Sequence, residues 1–208
     1  MQVDQEISEE STPLQATQTL EEGRVAIAVN QDYPPITLLG LFVMLSVFGW
    51  LFELSFFLLN DHVLINPGTL HGPWLPIYGV CGTLMLILLK RWRSKPAVSF
   101  LLIIGICGAV ETVTGHAIFA LSGVSWWDYT NFTFNIGKYI CLEALLAFGL
   151  FGMVLIYAVA PKFAMVLERI PIRAKQIFLI VVLTVFALDA IYSLFYPNYA
   201  AAIVLSFM

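Results

Sequence analysis

A chain of 208 residues that is 60% hydrophobic, 12% charged and has a mean hydropathy of +0.87 lies far from the soluble globular mix of about half apolar and a quarter charged residues. It reads as an integral membrane protein, with room for about five spans and no additional soluble domain of ordinary size. The net charge of −4 conceals a split. Residues 1–35 carry Asp4, Glu6, Glu9, Glu10, Glu21, Glu22 and Asp32 against Arg24, whereas the remainder is slightly basic without any basic patch, which excludes nucleic-acid binding.

In chain order, residues 1–35 are polar and rich in Gln, Glu, Ser and Thr, without a sustained helical period, and end at Pro34-Pro35. They are expected to form a largely disordered acidic tail, with a partner-docking tail as the alternative. The first twenty residues lack a basic stretch followed by an apolar one, so the first hydrophobic run is expected to be a retained span. Five apolar segments follow, at about 36–59, 74–90, 97–121, 138–160 and 176–196, predicting an all-α polytopic membrane protein with a five-helix domain over 36–208. The second segment is the shortest and contains Pro73, Pro76, Gly79 and Gly82, so it is expected to enter the membrane as irregular chain before becoming helical.

Lys90, Arg91, Arg93 and Lys95 separate the second and third segments, and Lys162, Arg169, Arg173 and Lys175 the fourth and fifth. Both loops are expected on the cytoplasmic side, which puts the N-terminus in and the C-terminus out in a multi-pass protein of the cell membrane. Residues 161–175 mix apolar and basic side chains and read either as a helix in the headgroup plane or as a contact for a cytoplasmic partner.

Two loops are then extracytoplasmic. One, N-P-G-T-L-H-G-P-W-L-P-I-Y-G (Asn66–Gly79), holds Pro67, Pro73, Pro76, Gly68, Gly72 and Gly79 beside His71, Trp74 and Tyr78, a composition that specifies a non-helical shape. The other, W-W-D-Y-T-N-F-T-F-N-I-G-K-Y-I-C (Trp126–Cys141), surrounds Asp128 with Trp126, Trp127 and Tyr129 and adds Asn131 and Asn135; an interfacial aromatic belt and a small-molecule or headgroup site fit it equally.

Acids inside spans are costly and face a bundle interior or water. Of Glu53, Glu111, Glu143 and Asp189, Glu53 lies roughly 10 Å below the outer end of its helix and Glu111 near the midplane. Glu143 and Asp189 are near enough to the interface for simple solvation. Glu111 reads either as a titrating or cation-binding carboxylate or as a hydrogen-bonded packing device, and its neighbour His116, five residues on, faces partly away from it. Glu53, Glu111, His71, Trp74 and Tyr78 from the first loop and its flanks, with Trp126, Trp127, Asp128, Tyr129 and Asn135 from the second, compose the expected outward-facing binding site. His71 and His116 lack H-x-x-x-H or H-E-x-x-H spacing, so no metal site is expected. Cys81, Cys107 and Cys141 fall in separate apolar segments and read as small buried hydrophobes. Gly105, Gly108 and Ala109, and Gly149 with Gly152, read as close-approach surfaces between helices. No G-x-x-x-x-G-K-[ST] or G-x-S-x-G is present, and no cofactor is expected.

At G-P-W-L-P-I-Y-G (Gly72–Gly79), V-E-T-V-T-G (Val110–Gly115) and W-W-D-Y...N-I-G-K-Y-I-C-L (Trp126–Leu142), over about residues 36–160, the chain resembles the bacterial membrane family described as "putative ABC-transporter type IV", or CmpB-like. It departs from that pattern at Pro67, where the family usually has Arg, and at Phe119, where it has a second acid. The resemblance implies the membrane component of an ATP-driven small-molecule transporter, its ATPase supplied in trans and docked on loops 90–96 and 161–175. Five spans are few for a whole translocation path, so a homo-oligomer or hetero-complex in the bilayer is expected on size alone. A second reading is a membrane-embedded enzyme acting on an outer-leaflet lipid, with Glu111 as acid or base assisted by Asp128 or His71. A third is a small assembly or regulatory protein without a site.

Overall fold

Nearly continuous apolar sequence in a water-free environment leaves the backbone no partner but itself, and helix is the local solution. The computed structural model describes residues 32–60, 62–198 and 203–204, so the expected tail falls outside the described residues except at 32–35. Among them the helices are α1 (Pro35–Asn60), α2 (Pro76–Leu88), α3 (Pro96–Ser122), α4 (Leu142–Glu168) and α5 (Ile172–Phe195). A 3₁₀ turn at Lys90–Trp92 and an antiparallel pairing of β1 (Val63–Leu64) with β2 (Ile203–Val204) complete the elements. Pro76 and Pro96 stand in the first turns of α2 and α3, where a missing N–H costs nothing. Gly123, at φ +71°, closes α3 by donating its N–H to the Phe119 carbonyl at 2.8 Å.

Four helices, of 24 to 27 residues, are long and apolar enough to cross a membrane. The exception is α2, whose 13 residues reach about 20 Å against a hydrocarbon thickness of about 30 Å. Irregular chain supplies the missing length. Leu75 N–H donates to the Ser46 carbonyl at 2.8 Å, and Ser46 lies about 17 Å from the start of α1, near its middle. The Asn66–Leu75 stretch therefore returns to mid-height before α2 begins.

The fourth helix departs from its expected 138–160 bounds at both ends. It starts at Leu142 because the preceding residues pair with one another through an Asn135–Cys141 bridge and an Ile136 N–H donation to the Ile140 carbonyl at 2.8 Å. Cys141 caps it, its sulfur accepting from Ala144 N–H at 3.4 Å. At the other end it runs through Pro161 to Glu168, with a π-helical turn at Leu155–Val159 that absorbs the missing N–H and the ring of the proline. Residues 161–175 are thus no separate surface helix. They form the end of α4, a tight turn and, from Ile172, the first turn of α5, so Lys162, Arg169, Arg173 and Lys175 decorate one helical corner.

The loop after α2 lies at the same end. Lys90 pairs with Asp32, Arg93 sits 5.1 Å over the Tyr33 ring and donates to the Leu86 carbonyl, and Tyr157 Oη of α4 donates to the Arg93 carbonyl at 2.6 Å. Burial pushes the Arg93 guanidinium pKa down, opposed by Tyr33 and Asp32.

A core of Leu41, Met85, Leu86, Leu89, Ile103, Cys107, Leu145, Leu155, Ile156 and Ala160 joins α1 to α4. Gly149 and Gly152 are close-approach points, since an added methyl would meet Phe100 Cε2 at 2.5 Å and Ile103 Cγ2 at 2.6 Å. Gly105 is not one of them: nothing lies within 4 Å of its methyl position. Among α5 residues only Leu179 and Ser193 are buried, and Phe186 packs edge-on against Phe42 and Trp74.

Candidate functional site

The first loop is held by polar groups from α1, from α5 and from the residues just beyond α5. Asn66 accepts from Trp50 Nε1 of α1 at 2.6 Å and donates to the His71 carbonyl at 3.0 Å. Asn198, just beyond α5, donates through Nδ2 to the carbonyls of Asn66, Gly68 and Leu70 at 3.0–3.3 Å, while its N–H reaches the Thr69 carbonyl at 2.9 Å. From α5 itself, the Asp189 carboxylate accepts from His71 N–H (3.2 Å), Gly72 N–H (3.0 Å) and Trp74 Nε1 (2.6 Å). His71 Nδ1 also lies 3.1 Å from Ser193 Oγ and 3.8 Å from Asp189 Oδ1.

Simple solvation of Asp189 is therefore incorrect. Its side chain is 13% exposed, and it replaces water as acceptor for donors that the proline- and glycine-broken loop leaves unmatched. Periodicity gives no sign of this, because the partners lie 115 to 118 residues away. Asn66, Trp50, Ser193 and Asn198 went unnoticed for the same reason. The one local hint is Asp189 with Ser193 on a single face of an otherwise apolar helix.

The membrane acids stand on the other side of α2. Glu53 Oε1 accepts from Tyr78 Oη at 3.0 Å, and Gly49, one turn earlier, gives the Tyr78 ring its room: a methyl there would sit 2.3 Å from the ring. Glu111 is 6% exposed, and its Oε2 has no hydrogen-bond partner among the described residues. Glu53 acts on it electrostatically, and both act on Tyr78 and on Tyr129 of the second loop. Burial, with the charge of Glu111 second, pushes the Tyr129 phenol pKa up, keeping it neutral. His116 is turned to its own helix and the loop, with Nδ1 2.8 Å from the Thr112 carbonyl and its ring 4.9 Å from that of Tyr139.

The remaining second-loop residues build the loop. Asp128 is exposed; its Oδ1 accepts from Thr130 N–H (2.9 Å) and Oγ1 (2.6 Å), and Lys138 lies 3.7 Å away. The two Thr130 bonds hold the Asp128 carboxyl below the usual carboxylate range. The turn is thus supported above the ordinary Asp pKa and weakened only as pH falls through the lower folded value. Asn135 Nδ2 donates to the Thr130 and Gly137 carbonyls at 3.3 and 3.4 Å. Trp127 Nε1 donates to the Tyr139 carbonyl at 3.3 Å, whereas the buried Trp126 Nε1 has no partner. Lys138 Nζ stands 5.3 Å from the centre of the Phe119 ring, a cation–π contact.

Of the expected site residues, Glu53 and Tyr78 are hydrogen-bonded to each other, with Glu111 and Tyr129 in electrostatic range of them. It assigns His71 and Trp74 to Asp189, and Asp128 and Asn135 to their own loop. No hydrogen bond or ion pair among the described residues joins Glu111 to His71 or Asp128. A groove of about 260 Å³ lined by Val80, Ala109, Val110, Val113 and Thr114 runs between α2 and α3, and neither acid is among its lining residues. Among the described residues no group of three or more His, Cys, Asp or Glu side chains is placed to hold a metal ion.

No curated protein and no solved structure matches the chain. A family model does, over residues 40–194, further than the resemblance drawn from the loops and including α5, whose Asp189 secures the first loop. The apolar helices and this match fit a component of membrane transport. On a match covering most of its length, the chain belongs to the family described as "putative ABC-transporter type IV".

Proposed function

We propose that the protein is the membrane component of an ABC-type small-molecule transporter, with the ATPase supplied by another chain. The observation that carries the reading is Glu111, an acid at the middle of a 27-residue apolar helix with one carboxylate oxygen unpartnered and a second acid in electrostatic range. Burying such a group without a partner costs several kcal/mol in a low-dielectric interior, a cost that a structural role does not repay. In this reading the Glu53–Tyr78–Glu111 site opens toward the extracytoplasmic loops, and Tyr129 covers it. The basic corner at Lys162, Arg169, Arg173 and Lys175 faces the cytoplasm, as the bias of Lys and Arg toward the inner side requires, and receives the ATPase together with the 90–96 loop.

An outer-leaflet lipid enzyme has less support, since the groups that would assist Glu111, His71 and Asp128, are engaged elsewhere. A siteless assembly protein would leave the unpartnered Glu111 without an explanation.

Purification of the tagged protein from its own host in mild detergent is expected to bring a stoichiometric ATPase, lost when Arg169, Arg173 and Lys175 are neutralised together. A chain that emerges alone across several detergents would sink the transporter reading.

A further inference from the structure

The α4–α5 corner carries more positive charge than its own acids answer. Lys162, Arg169 and Arg173 are exposed and Lys175 is half-buried, with Glu168 as the acid on the same corner. Ion pairs among the described residues join Asp32 to Lys90, Asp128 to Lys138 and His71 to Asp189, and none of them reaches these four side chains. Like charges gathered on one corner raise its potential and favour an acidic partner.

The chain itself holds the opposite charge at the same end. Residues 1–31 carry Asp4, Glu6, Glu9, Glu10, Glu21 and Glu22 against Arg24. Their point of attachment stands beside the corner. Asp32 pairs with Lys90, Pro35 begins α1, and a methyl at Gly40 would lie 3.3 Å from Phe163 Cε1 and 3.5 Å from Leu167 Cδ2 of α4. Gly40 is only about 7.5 Å along α1 from Pro35, and Phe163 and Leu167 are the chain neighbours of Lys162 and Glu168. Ten residues separate Glu22 from Asp32, a length that spans up to about 33–36 Å, against about 8–10 Å between the axes of packed helices. Reach is therefore ample. The placement holds whichever way the protein faces across the membrane, because the root of the acidic segment and the basic corner share one end of the bundle.

We propose that the acidic segment of residues 4–22 docks on the α4–α5 corner of its own chain, its carboxylates against Lys162, Arg169, Arg173 and Lys175. The Asp32–Lys90 pair is the first contact of this kind, made where the segment joins the bundle. Anionic lipid is the competing occupant, but the segment is attached to the corner it matches, so its pairing is intramolecular. Single exposed ion pairs are weak and screened by salt, so the contact depends on several at once and releases at high ionic strength. That docking keeps an ATPase off the corner rests on the transport reading; the pairing itself does not, since it needs no second protein.

The test uses the full chain in nanodiscs of zwitterionic lipid, one copy per disc, and follows the acylation rate of each lysine with sulfosuccinimidyl acetate by mass spectrometry. Asp4→Asn combined with Glu6→Gln, Glu9→Gln, Glu10→Gln, Glu21→Gln and Glu22→Gln is expected to speed acylation of Lys162 and Lys175 about threefold at low salt, the effect of pairs of ordinary surface strength. Lys138, at the other end of the bundle, should keep its rate and so report an intact fold. In about 1 M salt, where the screening length falls to about 3 Å, parent and variant should converge. In the unmodified chain, zero-length carbodiimide coupling should join one or more of the six acids to Lys162 or Lys175, a result that depends on no variant folding. Equal low-salt rates in parent and variant overturn the proposal, as do carbodiimide links from these acids that reach only Lys90 and Lys95. Lysines of the corner that slow when anionic lipid is added to the disc, yet ignore the six substitutions, would assign it to lipid headgroups and overturn it as well.

Discussion

Asp189→Ala is expected to lower the unfolding temperature of the detergent-solubilised protein by about 6–12 °C, the largest effect of any single polar substitution in this chain. Asp189 accepts three hydrogen bonds from the first loop, at 2.6–3.2 Å. Bonds to a charged acceptor contribute about 1.5–3 kcal/mol each, and a buried donor left without a partner costs about 1–3 kcal/mol. Allowing for water reaching the exposed His71, a net loss of about 3 kcal/mol follows, at about 2–4 °C per kcal/mol for a chain of this size. Asp189→Asn, which keeps one acceptor oxygen, should fall between. The substitution should also loosen α5, leaving it a thin apolar contact through Phe186 and Leu179 and the bonds that Ser193 and Asn198 make to the first loop. Limited proteolysis near Pro197 should then accelerate. An Asp189→Ala protein that melts within about 1 °C of the parent, well under the shift from a single lost bond, would show that the loop stands without its anchor.

Gly79→Val is expected to be comparably damaging, for a steric reason. A methyl at Gly79 would sit 2.4 Å from Ser46 Oγ and 2.6 Å from the Phe42 carbonyl oxygen. The second obstacle is helix backbone and cannot rotate away, so α1 and α2 must separate. Overpacking of this kind costs about 1–3 kcal/mol for one added group, and the valine side chain should reach or exceed the upper figure. Because Tyr78 is adjacent, separation should also break the Tyr78–Glu53 bond. Gly105→Ala is the control: with nothing within 4 Å, it should be neutral or stabilise by up to about 1 kcal/mol through helix propensity. The comparison is read from thermal melts of the two variants in one detergent; equal shifts would disprove the close α1–α2 approach.

The two loops show where sequence reading succeeds and where it stops. The density of proline and glycine between Asn66 and Gly79 states that the backbone there cannot be helical, and the structure finds it irregular to mid-membrane. What the irregular backbone bonds to is not a local property. Asp189 and Asn198 come from more than a hundred residues away, and nothing in D-A-I-Y-S distinguishes an acid that receives three loop donors from one that is merely solvated. The second loop shows the converse case. Its cluster of Trp, Asp, Tyr and Asn reads equally as a ligand surface and as an interfacial belt, and Asp128 and Asn135 spend hydrogen bonds on Thr130 and Gly137, inside the same loop. Of that cluster, Tyr129 alone reaches the buried acids electrostatically.

Composition alone determined that the chain lies in a membrane, because apolar helices of 24 to 27 residues have no other environment in which their surfaces are stable. Local sequence determined that the second segment would be broken, since proline and glycine act through their own φ angles. Only the tertiary structure decided which acids share a site. Whether Glu53, Glu111 and Asp189 face one another, a tyrosine or a loop depends on how the helices pack. That packing is set by glycine contacts and loop anchors between residues distant in the chain, where no helical period carries information.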